Sequence, residues 1–228
     1  MVEHLLSVWG RRGWISLFIV GLGFFLGFFW APVDAYQGPI YRMLYLHVPL
    51  ILSAYTAFFV VFAASVLYLM KGDNRMDFLA HSAAEIGWMF TGLTLLTGSL
   101  WGRPVWGVWW VWDARLTLTF ILFLIYAGYL LLRSVMQEDP RAGKFSAVLG
   151  IIGFLEIPII HFSVLLWRTL HQRPTILEPG FGRGNIDPSM KWALLVNILG
   201  YLLLCAYLVA LRFTLEKTKD TMQSEQAT

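Results

Sequence analysis

Five of the chain's 11 tryptophans sit inside one stretch, WGRPVWGVWWVWD at 101–113: Trp101, Trp106, Trp109, Trp110 and Trp112. Two histidines stand far from it in sequence, His47 in YRMLYLHVP and His171 in WRTLHQRP. Each residue type suits a different part of one task. A neutral imidazole offers a lone pair to a metal ion, haem iron included. An indole offers a broad apolar face with one polar edge, and indoles stack on flat rings. Arginine presents a planar fork to carboxylates or phosphates, and Arg42, Arg103 and Arg115 flank these blocks. A wide, flat, apolar ligand with anionic edges would use all three. A porphyrin with two propionates fits that description. A quinone fits less well, because it needs neither iron ligands nor cations.

The composition tells where such a ligand is met. Of 228 residues, 58% are hydrophobic and 14% charged, against roughly 25% charged in a soluble domain. Lipid is the solvent such a chain requires. A transmembrane helix needs about 20 mostly apolar residues. Such runs lie at about 14–31, 47–70, 80–100, 118–135, 146–167 and 190–213. The sequence therefore reads as an all-α integral membrane protein with six transmembrane helices in a single polytopic domain, 1–213. A Trp-rich external loop at 101–117 joins the third and fourth helices. The polar tail at 214–228 reads as cytoplasmic and without fixed structure. The first run follows Arg11-Arg12 and precedes Val33-Asp34-Ala35, as a signal peptide's would, but its apolar part is too long and aromatic for that role. Within the external loop Pro104 is expected to open a short helix. Trp106, Trp109, Trp110 and Asp113 would then share one face at i, i+3, i+4 and i+7.

Of the 17 lysines and arginines, ten fall on the side of the two termini. The other seven are Arg42, Arg103, Arg115, Arg168, Arg173, Arg183 and Lys191. The bias places both termini in the cytoplasm. The seven opposing residues have two readings. They pair with Asp34, Asp113, Glu178 and Asp187, or they meet an anionic ligand outside. Alternation of spans puts His47, His171 and the tryptophan loop on that same outer face, and His4 and His81 on the other. His161 lies inside the fifth span toward its outer end. It is either a hydrogen-bonded interior histidine or a rival metal ligand. Glu156, near mid-bilayer, is protonated or paired. An aromatic belt at the membrane surface explains the scattered Trp9, Trp14, Trp30, Trp167 and Trp192, but not five tryptophans within one loop.

Several classes are excluded by pattern. The net charge is only +3 and its basic residues are scattered, so there is no nucleic-acid face. Cys205 is the one cysteine; it supports no disulfide framework, and without C-x-x-C-H no haem is attached in the c-type manner. There is no P-loop and no G-x-S-x-G. These absences favour a carrier that presents its ligand over an enzyme or an ATP-driven pump.

The stretch WGRPVWGVWWVWDARLT at 101–117 resembles the WWD signature of haem-handling proteins in cytochrome c maturation. YRMLYLHVP at 41–49, PIIHFSV at 158–164 and LHQ at 170–172 resemble the flanking blocks of one family, CcmC. The resemblance runs from about residue 14 to 213, and six spans suit CcmC better than its larger relatives, the CcmF and CcsA-type lyases. It implies non-covalent haem b, held at the periplasmic face of the bacterial inner membrane. His47 and His171 would be the axial iron ligands. Trp101, Trp106, Trp109, Trp110, Trp112 and Asp113 would form the platform, with Arg42, Arg103 and Arg115 for the propionates. It also implies delivery to the haem chaperone CcmE, whose own histidine bonds to a haem vinyl, beside the CcmA–CcmB ATP-binding cassette complex and CcmD. Three rivals remain: a bis-histidine b-type redox cytochrome, favoured if His161 is a ligand; a transporter subunit for another hydrophobic anion; and a structural membrane scaffold.

The topology is open to a direct test. Single cysteines in 32–46, 101–117 and 168–189 are expected to react with a membrane-impermeant maleimide added from the periplasmic side. Labelling of any one of these segments from the cytoplasmic side alone would break the common-face reading.

Overall fold

A computed structural model describes residues 2–137, 139–171 and 187–226. Six long helices carry the described chain: α1 (Val2–Phe25), α2 (Leu44–Lys71), α3 (Asn74–Trp106), α4 (Ala114–Val135), α5 (Ala142–Leu166) and α6 (Pro188–Gln226). A π-helical turn, Leu26–Trp30, extends α1, and a 3-10 turn, Pro39–Met43, leads into α2. Helices satisfy their own backbone polar groups, which is the condition for crossing lipid.

Five segments are long and apolar enough to cross a membrane: Gly10–Trp30, Pro39–Lys71, Ala114–Val135, Ala142–Leu166 and Pro188–Met222. The expected third span, 80–100, falls outside that set although α3 has 33 residues. The reason is its polar content. Ser82, Thr91, Thr94 and Thr97 interrupt the apolar run, and each hydroxyl donates back to the carbonyl four residues earlier, at 2.7–2.9 Å. Such back-bonding satisfies the hydroxyl inside its own helix.

The core is aromatic against glycine. Phe58 of α2 stacks on Tyr126 of α4 with centroids 3.7 Å apart and planes 10° from parallel. Gly87 of α3 and Gly153 of α5 make room for this pair, since a Cβ at either would meet Phe58 or Tyr126 within 2.8 Å. Tyr126 also donates its hydroxyl proton to the Gly150 carbonyl at 3.1 Å. A smaller cluster of Ala31, Leu44, Tyr45, Met190, Ala193 and Leu194 joins the end of α1 to the starts of α2 and α6. At the opposite end of the bundle Arg133 of α4 forks onto both oxygens of Asp77 of α3 at 2.9 and 2.8 Å. Arg212 of α6 likewise engages both oxygens of Glu85.

Two expectations are corrected. The chain after Arg212 is helical to Gln226, where no fixed structure was expected. Charge pairs one turn apart, Arg212–Glu216 at 3.0 Å and Lys219–Glu216 at 3.4 Å, support the extension. The expected short helix from Pro104 is also absent. α3 runs through Gly102 and Pro104 to Trp106, where Gly107 in the left-handed conformation (φ 81°) caps it. Pro104 therefore occupies a last turn rather than a first one. The stretch 101–117 is divided into the end of α3, seven non-helical residues (107–113) and the first turn of α4, so its indoles share no single helix face.

Filling the space under Phe58 tests the packing. Gly87→Ala is expected to cost about 1–3 kcal/mol through overpacking and to lower the thermal midpoint of the detergent-solubilised chain. Gly21→Ala, with nothing within 4 Å of the added carbon, should be neutral or stabilising by about 0.5–1 kcal/mol. Equal midpoints for the two variants would contradict the close approach.

Candidate functional site

A cavity of about 360 Å³ opens between α2, α3, α4 and α5 at the end of the bundle opposite the Asp77–Arg133 pair. Its volume falls within the roughly 300–1,000 Å³ usual for small-molecule sites. His47 and His171 both line it, though 124 residues separate them in sequence. Trp101, Trp106 and Trp110 form indole walls, and Arg115 and His161 reach it from α4 and α5. The site thus gathers three of the chain's five histidines.

His47 stands in the first turn of α2. Its Nδ1 lies 3.1 Å from the Thr97 hydroxyl oxygen. Thr97 is itself 2.9 Å from the Leu93 carbonyl and 3.1 Å from the Thr94 carbonyl, both pure acceptors. Its one proton therefore goes to the backbone, and its oxygen accepts from the histidine. The neutral His47 ring then carries its proton on Nδ1 and leaves Nε2 as the lone-pair nitrogen. Gly98 permits the approach, since a Cβ there would lie 3.0 Å from Cε1 of the ring. Trp101 meets the same ring edge-on at 5.9 Å, and its own Nε1 donates to Gln37 at 2.9 Å. Gln37 is placed by a turn in which Asp34 Oδ1 accepts from the amides of Tyr36 and Gln37 at 2.9 and 2.7 Å.

Asp113 positions the second histidine. Its Oδ1 caps α4 by accepting from the Leu116 amide at 2.9 Å. Its Oδ2 accepts from the Leu170 amide at 3.1 Å. One carboxylate thus starts α4 and ties down the chain beside His171, whose amide bonds Thr169 Oγ1 at 2.8 Å. The His171 ring stands edge-on to Trp106 at 6.2 Å.

Two polar groups at the cavity are left over. The Arg115 Nη1 and the Trp110 Nε1 are buried with no hydrogen-bond partner among the described residues. No carboxylate lies within 4.0 Å of the Arg115 guanidinium among the described residues, and Asp113 accepts from the Leu116 and Leu170 amides instead. A buried unpaired cation is costly, and an anionic ligand group would supply its partner.

The remaining expected residues lie elsewhere. Trp109 lines no described cavity and is 57% exposed. Trp112 lies outside the main cavity, against Trp110 at 5.5 Å and Phe120 at 6.3 Å. Arg103 caps α3 by donating to the Gly107 carbonyl. Arg42 sits in the 3-10 turn outside the cavity lining, with its buried Nε unpartnered. The expected pairing of outer arginines with Asp34, Asp113 and Asp187 does not occur for Arg42, Arg103 or Arg115, since these carboxylates accept from backbone amides instead. Arg173, Glu178 and Arg183 lie outside the described residues. Thr97, Gln37 and Tyr55 were not singled out from sequence. Thr97 alone left a trace there, four residues before Trp101 and so one helical turn below it.

Apolar helices that converge on a cavity of histidine, indole and arginine define a class, a polytopic membrane protein with a ligand site at one end of its bundle. The chain belongs to the Heme exporter protein C family, whose CcmC model matches residues 3–228. It is 38% identical over 197 residues to the Heme exporter protein C of Escherichia coli K12, covering 86% of this chain and 78% of that one. The Haemophilus influenzae protein of the same name is 36% identical over 206 residues, 90% of this chain and 83% of that one. The Bradyrhizobium diazoefficiens protein of the same name is 42% identical over 177 residues, covering 76% and 65%.

The shared carboxylate yields a test that needs no ligand. Asp113→Ala is expected to cost about 0.5–2 kcal/mol as a lost helix cap. Hydrogen exchange should rise together at residues 114–117 and 169–171. Faster exchange at the α4 turn alone would show that Asp113 does not hold the His171 segment.

Proposed function

We propose that this chain holds haem b non-covalently at the periplasmic face of the inner membrane and presents it to CcmE for c-type cytochrome assembly. CcmA–CcmB and CcmD act beside it in this reading, with both termini cytoplasmic and α3 crossing as a sixth span. The observation that carries the reading is the meeting of His47 and His171 at one indole-walled cavity. Family membership and the relatives' name, heme exporter, support the choice of ligand. Haem is cargo here, and its iron takes two neutral imidazoles as ligands. His47 offers the Nε2 lone pair that Thr97 leaves bare, and His171 faces the same cavity. Trp101, Trp106 and Trp110 shield a flat ring from water. Arg115 meets a propionate and Arg42 is a second, more distant candidate. Trp109 and Trp112, outward and exposed at 57% and 73%, suit contact with headgroups or the chaperone.

His161 keeps a second reading in play, since it lines the same cavity. Ligation by His161 would favour a redox cytochrome over a carrier.

Absorption spectra of the purified, haem-loaded chain separate these readings. His47→Ala and His171→Ala should each lose the six-coordinate low-spin spectrum, while His81→Ala and His161→Ala keep it. A low-spin spectrum that survives both single changes, or disappears with His161→Ala, would overturn the assignment. Arg115→Ala should weaken haem retention by one to two decades without changing the iron spectrum, because a charge-assisted contact is worth about 1.5–3 kcal/mol. Thr97→Val should lower affinity roughly 10–100-fold, as lost ligand-orienting partners do, and Thr97→Ser should restore it.

A further inference from the structure

A second cavity of about 400 Å³ lies on the outside of the bundle between α3 and α4. Its lining is Leu95, Leu96, Ser99, Trp110, Trp112 and Phe120. Three of these six, Leu95, Ser99 and Trp110, also line the histidine cavity. The two spaces are therefore neighbours with a common wall, and one side of that wall is an indole. Trp110 belongs to the non-helical stretch that starts at Gly107. Its ring packs edge-on against Trp112 and Phe120, at 5.5 and 6.0 Å, and its Nε1 has no hydrogen-bond partner among the described residues. None of the described residues anchors this indole by a polar side-chain contact.

With α3 crossing the membrane as proposed above, the outer space faces lipid. Leu96 is 56% exposed, and Leu93 and Leu100 of α3 and Ile121 and Leu124 of α4 are exposed around it. Phe120 lies six residues past Ala114, about 9 Å along the helix at 1.5 Å per residue. That depth is just below the bundle end, which on the proposed topology lies in the outer half of the hydrocarbon. Among the described residues, the polar side-chain groups in the lining are the Ser99 hydroxyl and the indole nitrogens. Such a lining suits a flat apolar ring and repels hydrated solutes.

We propose that the gap between α3 and α4 is a lateral port, closed by the Trp110 indole, through which a planar apolar ligand passes between the outer half of the bilayer and the histidine cavity. The ligand is a porphyrin on the reading given above, and the port rests on that reading for the ligand's name and for the placement of α3 in the bilayer. The cavity's anionic-group partner, Arg115, lies beyond Trp110, so the ring's edges meet a cation only after the wall is passed. Lipid-borne haem would then reach its ligands without crossing water, in which it is poorly soluble.

The experiment uses the full chain in phosphatidylcholine nanodiscs, with Cys205→Ser removing the one native thiol. Ser99→Cys places a thiol on the common wall, and N-(1-pyrenyl)maleimide dissolved in the lipid probes it. Labelling is expected. Adding Leu96→Trp, at an exposed position that lines the outer space alone, should slow it roughly tenfold, the factor given by about 1.4 kcal/mol of added barrier. Phe120→Ala should speed it, and His81→Ala, beside Glu85 at the other end of the bundle, should leave it unchanged. In parallel, haemin preloaded into the bilayer should appear in the low-spin spectrum more slowly with Leu96→Trp, at an unchanged end point. A Ser99→Cys thiol that the lipid probe cannot reach, or reaches equally fast past Leu96→Trp, overturns the port. Equal haem-loading rates with and without Leu96→Trp overturn it as the route for haem. Gated labelling with no iron spectrum in any chain would instead sink the haem reading and leave the port standing.

Discussion

The site depends on one carboxylate. Asp113 begins α4 with one oxygen and holds the Leu170 amide with the other. Those two contacts bring the chain after α5 against the chain after α3, and so put His171 beside Trp106. A carboxylate has two oxygens with lone pairs to share, and each accepts from a backbone amide here. Asp113 is directed at these amides rather than at Arg115, and no carboxylate among the described residues lies within 4.0 Å of that guanidinium.

The same economy appears at His47. Thr97 gives its proton to its own helix and offers only its oxygen to the ring. A hydroxyl that looks like a routine helix back-bond thereby selects a tautomer. α3 contributes this group because it is the least apolar of the helices that build the cavity. Its hydroxyls reduce its hydropathy, yet each is satisfied within the helix. The bilayer tolerates polar side chains that bond their own backbone, which lets α3 lie among apolar helices and still bring polar atoms to the site.

Packing at the centre of the bundle separates the two ends. The Phe58–Tyr126 stack and the glycines beneath it fill the middle. Below it lie the Asp77–Arg133 and Glu85–Arg212 pairs. Above it, among the described residues, Arg115 Nη1 and Trp110 Nε1 are buried with no hydrogen-bond partner. A buried group left unpaired costs stability, and two such groups at one cavity make that end the candidate site.

Composition and the length of apolar runs were enough to determine an all-helical membrane protein, and five of the six expected spans fall on helices long and apolar enough to cross a membrane, 80–100 being the exception. They also determined which residue types could handle a flat, anionic-edged ligand, because the WWD stretch and the two histidines carry that chemistry in their own side chains. Helix ends were less legible. Gly102 and Pro104 read as breakers, but α3 continues past both and ends at Gly107, the glycine that takes the left-handed capping conformation. The long-range partners were not legible at all. Asp113 with Leu170, Thr97 with His47 and Gln37 with Trp101 are 57, 50 and 64 residues apart. No local pattern encodes such pairs. They exist only once the helices have packed, and that packing alone decided which tryptophans line the cavity, which are exposed, and that Arg115 reaches it with a polar atom unmet among the described residues.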